Sequence, residues 1–184
     1  KDITCIYEDS KKSIWVGTKD DGLFRLDRNG GITNYGTAPH QNMLSSSYVR
    51  CIVEDNLGNY WIGTFKGLDK LDVTTGTFTH YSKDNKPYSL SNSSIICMMK
   101  DRQGTFWIGT YYGGVNLFNP DYEIYTYYYP DESQKGKLTS PFAGRMTEDS
   151  NGGIWIATEG GGVNYLDKKT KTFTEYKHDA TKNS

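Results

Sequence analysis

The chain has 184 residues, with 21 Lys and Arg against 22 Asp and Glu and a net charge of −1. That is room for one ordinary domain with a sizeable core, without the basic excess that a general nucleic-acid binder carries. No apolar run approaches the roughly 18 residues of a membrane-spanning helix. Twenty Gly and 15 Tyr beside only five Pro exclude a disordered linker and suit short strands and tight turns.

The chain begins at Lys1 with no cleavable signal, and reads as a mature or trimmed segment without its targeting information. The first predicted strand is ITCIYED, followed by a turn with Lys12 and then by IWVGT. In TKDDGLF the residue Gly22 supplies positive φ for a hairpin turn. Leu26-Asp27 follows, and Tyr35 closes the unit. From residue 49 the same order returns. VRCIVED is a strand-length apolar run, NLGN a turn, YWIGT a second strand and FKG a tight turn. LDKLD alternates at period two, VTTG turns again, and TFTHY is a fourth short run. A polar connection, SKDNKPYSLSNSS, leads to a third unit with Lys100-Asp101, FWIGT, TYYGGVN and Phe118-Asn119. After PDESQKGK the fourth unit runs EDSNGGIWIATEGGGVNYLD and closes on TFTEY. No stretch repeats at helical period over the 10 to 12 residues that a helix needs.

The four tryptophans, at 15, 61, 107 and 155, occupy one phrase: IWVGT, YWIGT, FWIGT, IWIAT. An acidic pair or its relic precedes each, at Glu8-Asp9, Glu54-Asp55, Lys100-Asp101 and Glu148-Asp149. An aromatic closes each unit (Tyr35, Tyr81, Tyr128, Tyr176), and Leu44, Leu90 and Leu138 follow the first three. A self-similar period in the middle forties means one supersecondary unit copied. Four short antiparallel strands in a unit of that length make a propeller blade. The predicted fold is all-β: a single propeller segment over 1–184, with four consecutive four-stranded antiparallel blades at about 1–36, 47–82, 93–129 and 141–177.

With these residues set out, the sequence resembles the two-component regulator propeller repeat: an apolar strand, E-D, a Gly turn, W-I-G-T, G-G-L, L-D and a late aromatic. EDNLGNYWIGTFKGLDKLD carries nearly the whole pattern. The resemblance covers the entire chain. It implies the periplasmic sensor region of inner-membrane hybrid two-component proteins of Bacteroidetes, associated with oligosaccharide recognition and control of polysaccharide-use genes. It also implies further blades in a parent protein and a kinase outside this segment. A propeller-type lyase and a non-binding scaffold are the alternatives.

Most repeated residues have a folding role. The Trp are read as inter-blade core. Asp9, Asp55, Asp101 and Asp149 are read as turn-capping carboxylates, because one carboxylate per turn is far short of a calcium cage. Cys5, Cys51 and Cys97 share one slot, which Arg145 takes in the fourth unit. Repeat-equivalent residues stand a blade apart, so these are read as small buried hydrophobes rather than a disulfide framework. Gly17, Gly63 and Gly109 mark close approach of a neighbouring blade, with Ala157 in the fourth. His40, His80 and His178 lack metal-ligand spacing and fall towards the outside. No catalytic motif, metal or cofactor is expected.

Function is expected where a unit departs from the repeat. Unit three carries Tyr111-Tyr112 where unit two has Phe65-Lys66, then Tyr122, Tyr125, Tyr127, Tyr128 and Tyr129. Tyr111, Tyr112, Tyr129 and the PDESQKGK stretch are predicted to share one rim and to offer rings to a sugar ligand. Open apolar faces on the first and last blades predict a homodimer or contact with further blades.

Overall fold

The computed structural model describes residues 2–36, 43–85, 89–119, 124–131 and 133–178. Blade one consists of β1 (Ile3–Glu8), β2 (Ile14–Thr18), β3 (Leu23–Leu26) and β4 (Ile32–Tyr35). Blade two has β5 (Val49–Glu54), β6 (Tyr60–Thr64), β7 (Leu68–Leu71) and β8 (Phe78–Tyr81). Blade three has β9 (Ile95–Lys100), β10 (Phe106–Thr110), β11 (Gly114–Asn119) and β12 (Ile124–Tyr128). Blade four has β13 (Ala143–Glu148), β14 (Ile154–Thr158), β15 (Gly162–Asp167) and β16 (Thr172–Tyr176). Each blade is its own antiparallel sheet with strands in sequence order. The first strands pack in succession, β1 on β5, β5 on β9 and β9 on β13. They therefore form the inner wall, and the fourth strands lie outermost.

Three apolar seams join the four blades. Trp15 is buried against Val49, Ile52, Tyr60, Ile62 and Leu71 of the next blade. Trp61 repeats this against Ile95, Phe106, Ile108 and Phe118, and Trp107 against Ala143, Ile154, Ile156, Leu166 and Phe173. The closing tyrosine of each blade lies beside its own Trp, at ring distances from 5.4 to 6.0 Å. Leu44, Leu90 and Leu138 on the connections plug the three seams.

One device recurs at the first turn of every blade. The Asp carboxylate accepts from the indole Nε1 six residues on: Asp9 from Trp15 at 2.8 Å, Asp55 from Trp61 and Asp101 from Trp107 at 3.0 Å, and Asp149 from Trp155 at 3.2 Å. Its other oxygen accepts backbone N–H groups of the turn, as Asp55 does from Leu57 and Asn59. Turn and seam are thus one hydrogen-bonded unit. Burial alone would raise Asp9, but hydrogen bonds from Trp15, Tyr60 and Ser13 outweigh it and hold the carboxyl below its usual range. Asp101 and Asp149 are lowered for the same reason, against the same opposing burial.

The strand glycines seat the neighbouring blade. A Cβ on Gly63 would lie 2.4 Å from Cys51 Sγ and 2.7 Å from Ile95 of the next blade. Gly17 and Gly109 are equally crowded, each by the paired cysteine and the next inner strand. Cys5, Cys51 and Cys97 are free thiols that fill this notch. Burial pushes all three thiols up, Cys97 to about 12, so they stay neutral. At the equivalent pair in blade four, Arg145 opposes Ala157.

The terminal faces show what the seams cover. Ile6 is 66% exposed on blade one, whereas its counterpart Ile52 is 6% exposed under Trp15. Ile3, Leu26 and Ile32 of the same face are also exposed. On blade four, Trp155 is half-buried between Tyr165 and Tyr176.

Candidate functional site

The inner strands all begin at one end of the blades, and the turns between second and third strands emerge there too. The backbone fixes this rim: Phe65 N donates to Tyr48 O, Tyr111 N to Ser94 O and Glu159 N to Phe142 O, at 2.9 to 3.1 Å. Side chains just before an inner strand therefore meet side chains just after a second strand.

Two aromatic groups result. Tyr48 and Phe65 stack at 6.3 Å, with the Arg50 guanidinium over both rings. Arg50 is held in place by hydrogen bonds to Ser94 Oγ and Ile95 O, both at 2.9 Å. Tyr111 lies edge-on to Tyr112 at 4.5 Å and to Phe142 of blade four at 5.5 Å. Tyr111 is 46% exposed and Tyr112 60%. Phe65 is exposed as well. The rim rings are thus partly open to solvent rather than sealed in a core.

Tyr112 has φ of 53°. Blade four places Gly160, at 71°, in that turn position. A side chain with Cβ is disfavoured in this left-handed region by about 1 kcal/mol, so a tyrosine here is held against local preference. Strain of that kind gathers at functional positions.

The remaining unit-three tyrosines separate. Tyr129 follows Tyr128, which pairs with Val115 at the start of β11, so its backbone sits beside the same turn as Tyr111 and Tyr112. Tyr129 is exposed. Tyr128 belongs to the seam, stacked on Trp107. The Tyr127 hydroxyl donates to Ser89 O and ties down a connection. Tyr122 and the Tyr125 side chain lie outside the described residues, as does His40. The PDESQKGK expectation needs correction. Phe173 N donates to Gly136 O at 3.0 Å, which sets Gly136 against the start of β16, the end away from the rim. Burial of Leu138 in the seam draws it there.

Below the rim, the four inner strands line an axial cavity of about 510 Å³ that is open to solvent. Thr4, Arg50, Met98 and Arg145 contribute from one strand each, and Tyr111 and Phe142 stand in its wall. A larger groove of about 680 Å³ lies between blades three and four at the opposite end. Two of its acids share one cation: Lys168 Nζ reaches Asp101 at 3.0 Å and Glu148 at 3.2 Å. The axial cavity is lined by the rim rings Tyr48, Tyr111 and Phe142.

Neither described histidine lies on the axis. His80 lies on outermost β8, its Nδ1 at 2.8 Å from Asp69, and His178 lies beyond β16. Among the described residues no group of His, Cys, Asp and Glu has the arrangement of a metal site.

Sequence reasoning missed Tyr48, Arg50, Phe65 and Phe142. Only Phe65 had a signal, since it aligns with Tyr111 in the repeat.

The model of the family described as two component regulator propeller matches residues 1–20, 43–66, 89–112 and 137–160. No curated protein matches the chain. Among solved structures, the extracellular domain of the hybrid two component system BT3049 from B. thetaiotaomicron superposes with a TM-score of 0.78 at 24% identity, over 94% of this chain and 23% of that one. The extracellular domain of BT4673 from the same organism gives 0.78 at 23% identity, over 95% and 25%. Virginiamycin B lyase from Staphylococcus aureus gives 0.73 at 15% identity, over 97% and 56%. At such identities the likeness is one of fold, and the chain spans about a quarter of the two extracellular domains.

Proposed function

Because the chain belongs to the two-component regulator propeller family, we propose that it is an extracytoplasmic sensor segment of a hybrid two-component regulator, a binding module rather than an enzyme, whose ligand is an oligosaccharide. The observation that carries this reading is the rim. Tyr111 and Tyr112 present exposed rings on the rim, Tyr111 and Phe142 line the cavity below it, and Tyr129 sits beside the same turn. Aromatic faces stack on the C–H faces of sugars, and phenol hydroxyls add hydrogen bonds.

The fold supports further blades in the same protein. Blade one exposes the face that receives a Trp in every internal seam, and blade four exposes a Trp face that no blade covers. Each is half of a known seam, so the occupant in this reading is another blade of the same repeat. Periplasmic location and inner-membrane attachment belong to the same proposal. Light scattering of the isolated chain tests the faces: a dimer shows that a second copy can replace the missing blade, and a monomer at high concentration shows that it cannot.

A glycan array tests the binding reading. Retention of some oligosaccharide class, lost in Tyr111→Ala, is the expected result. A blank array, or binding indifferent to Tyr111, Tyr112 and Tyr129, overturns it.

A further inference from the structure

The axial cavity is not chemically neutral. Its wall contains two arginines, Arg50 and Arg145, and no carboxylate, in a chain whose net charge is −1. The thiols that share the wall are held neutral by burial, so they offset none of that charge. The acids nearest by repeat position, Asp2 and Glu159, stand on the rim outside the lining.

The two arginines differ in commitment. Arg50 is spent on Ser94, Ile95 and the rings of Tyr48 and Phe65. Arg145 is exposed. It forms no hydrogen bond or ion pair among the described residues.

Its position explains why it is free. In blades one to three this slot holds a cysteine whose sulfur occupies the space over the paired glycine. In blade four the partner is Ala157, whose Cβ takes up that space. The side chain at 145 is thereby released from the notch, and it stands in the cavity wall beside Phe142 and Tyr111. A guanidinium with free donors offers a planar, bidentate grip on an oxyanion.

We propose that the axial cavity takes the anionic group of an acidic sugar, a carboxylate or sulfate carried on a sugar ring, with Arg145 as its partner and Tyr111 and Phe142 as the stacking surface. This rests on the oligosaccharide reading and names the ligand class within it.

The test is calorimetric titration of the chain with tetragalacturonate, with its fully methyl-esterified neutral counterpart and with a sulfated chondroitin disaccharide, backed by an array of neutral and acidic glycans. Support would be tighter binding of one or both anionic probes than of the ester, weakened by salt. Arg145→Gln should then lower anionic affinity about tenfold or more while the ester is unaffected, because a charge-assisted hydrogen bond is lost. Arg145→Lys should recover part of it. Which anionic probe responds separates carboxylate from sulfate. The melting temperature of Arg145→Gln should match the parent, since the side chain is exposed. Equal binding of acid and ester, or anionic binding indifferent to Arg145→Gln, overturns the proposal and leaves the oligosaccharide reading standing. No binding anywhere on the array overturns both.

Discussion

The two ends of the blades differ in how much of each turn they repeat. At the end holding the first turns, all four blades use the same device: an Asp that caps the turn and accepts the indole of its own Trp. At the rim, the corresponding turns carry Lys19-Asp20, Phe65-Lys66, Tyr111-Tyr112 and Glu159-Gly160, with no residue held in common. One end solves folding four times over. The rim repeats a hydrogen bond across its turn, from Thr18, Thr64, Thr110 and Thr158 to the Gly carbonyl, but the two positions after each Thr vary, and it is there that a left-handed tyrosine and exposed rings are tolerated. Within a repeat, uniformity marks what the fold needs and divergence marks what it can lend to a ligand.

Substitutions can break or sharpen that contrast. The largest effect is expected from Trp61→Ala, which should cost about 3–5 kcal/mol in denaturant unfolding, as loss of a buried aromatic does. Trp155→Ala, half-buried, should cost clearly less, and equal losses would mean that the uncovered face is occupied. Gly63→Ala should cost about 1–3 kcal/mol through overpacking against Cys51 and Ile95. Adding Cys51→Ala should recover only part, because Ile95 remains in place.

Asp55→Ala should cost about 2–3 kcal/mol by stranding the Trp61 indole and turn N–H groups. The first-turn carboxylates of the other three blades give the pH dependence its sign. Asp9, Asp101 and Asp149 have folded values below the usual carboxylate range. Their contribution is therefore fully present above the unfolded value near 4 and is lost as pH falls through the lower folded values. Melting temperatures measured from pH 7 down to pH 3 should fall at the acid end, and a flat profile would show the clamps contribute little.

The smallest stability effects belong to the rim. Tyr111→Ala should change unfolding by no more than about 0.5 kcal/mol, as exposed substitutions do. Tyr112→Gly should leave stability unchanged or raise it by up to about 1 kcal/mol, since glycine relieves the positive φ. Both should weaken ligand retention. A large loss of stability in either variant would assign these tyrosines to the fold.

The fold was legible because each unit states its strands and turns within about 35 residues, and four statements agree. Burial of Trp15, Trp61 and Trp107 followed from their shared slot, and so did the crowding at Gly17, Gly63 and Gly109. The indole bond to the Asp was not legible. Both residues were plain in the repeat, but their meeting depends on how the first turn folds the carboxylate back over the second strand. The rim was half legible. Tyr111 and Tyr112 stood out as departures within one unit, whereas Phe142, Tyr48 and Arg50 sit in other slots and reach the site only through blade packing. The PDESQKGK stretch was misplaced because a blade-to-blade connection was expected to stay on the rim where it starts, whereas this one reaches the opposite end at Gly136 before Leu138 enters a seam.

The three seams have a consequence for how the chain comes apart. Blades two and three are each gripped on both sides, and blades one and four on one side only. In a nearest-neighbour stack, protection is a sum over adjoining units, so amide exchange should be slowest in β5, β6, β9 and β10 and fastest in the outer blades. Unfolding then resembles fraying of a short ladder from its ends more than a single concerted melt. A ligand that bridges Tyr111 of the third blade and Phe142 of the fourth would close the ladder at one end, and its binding would be visible as slowed exchange throughout the fourth blade.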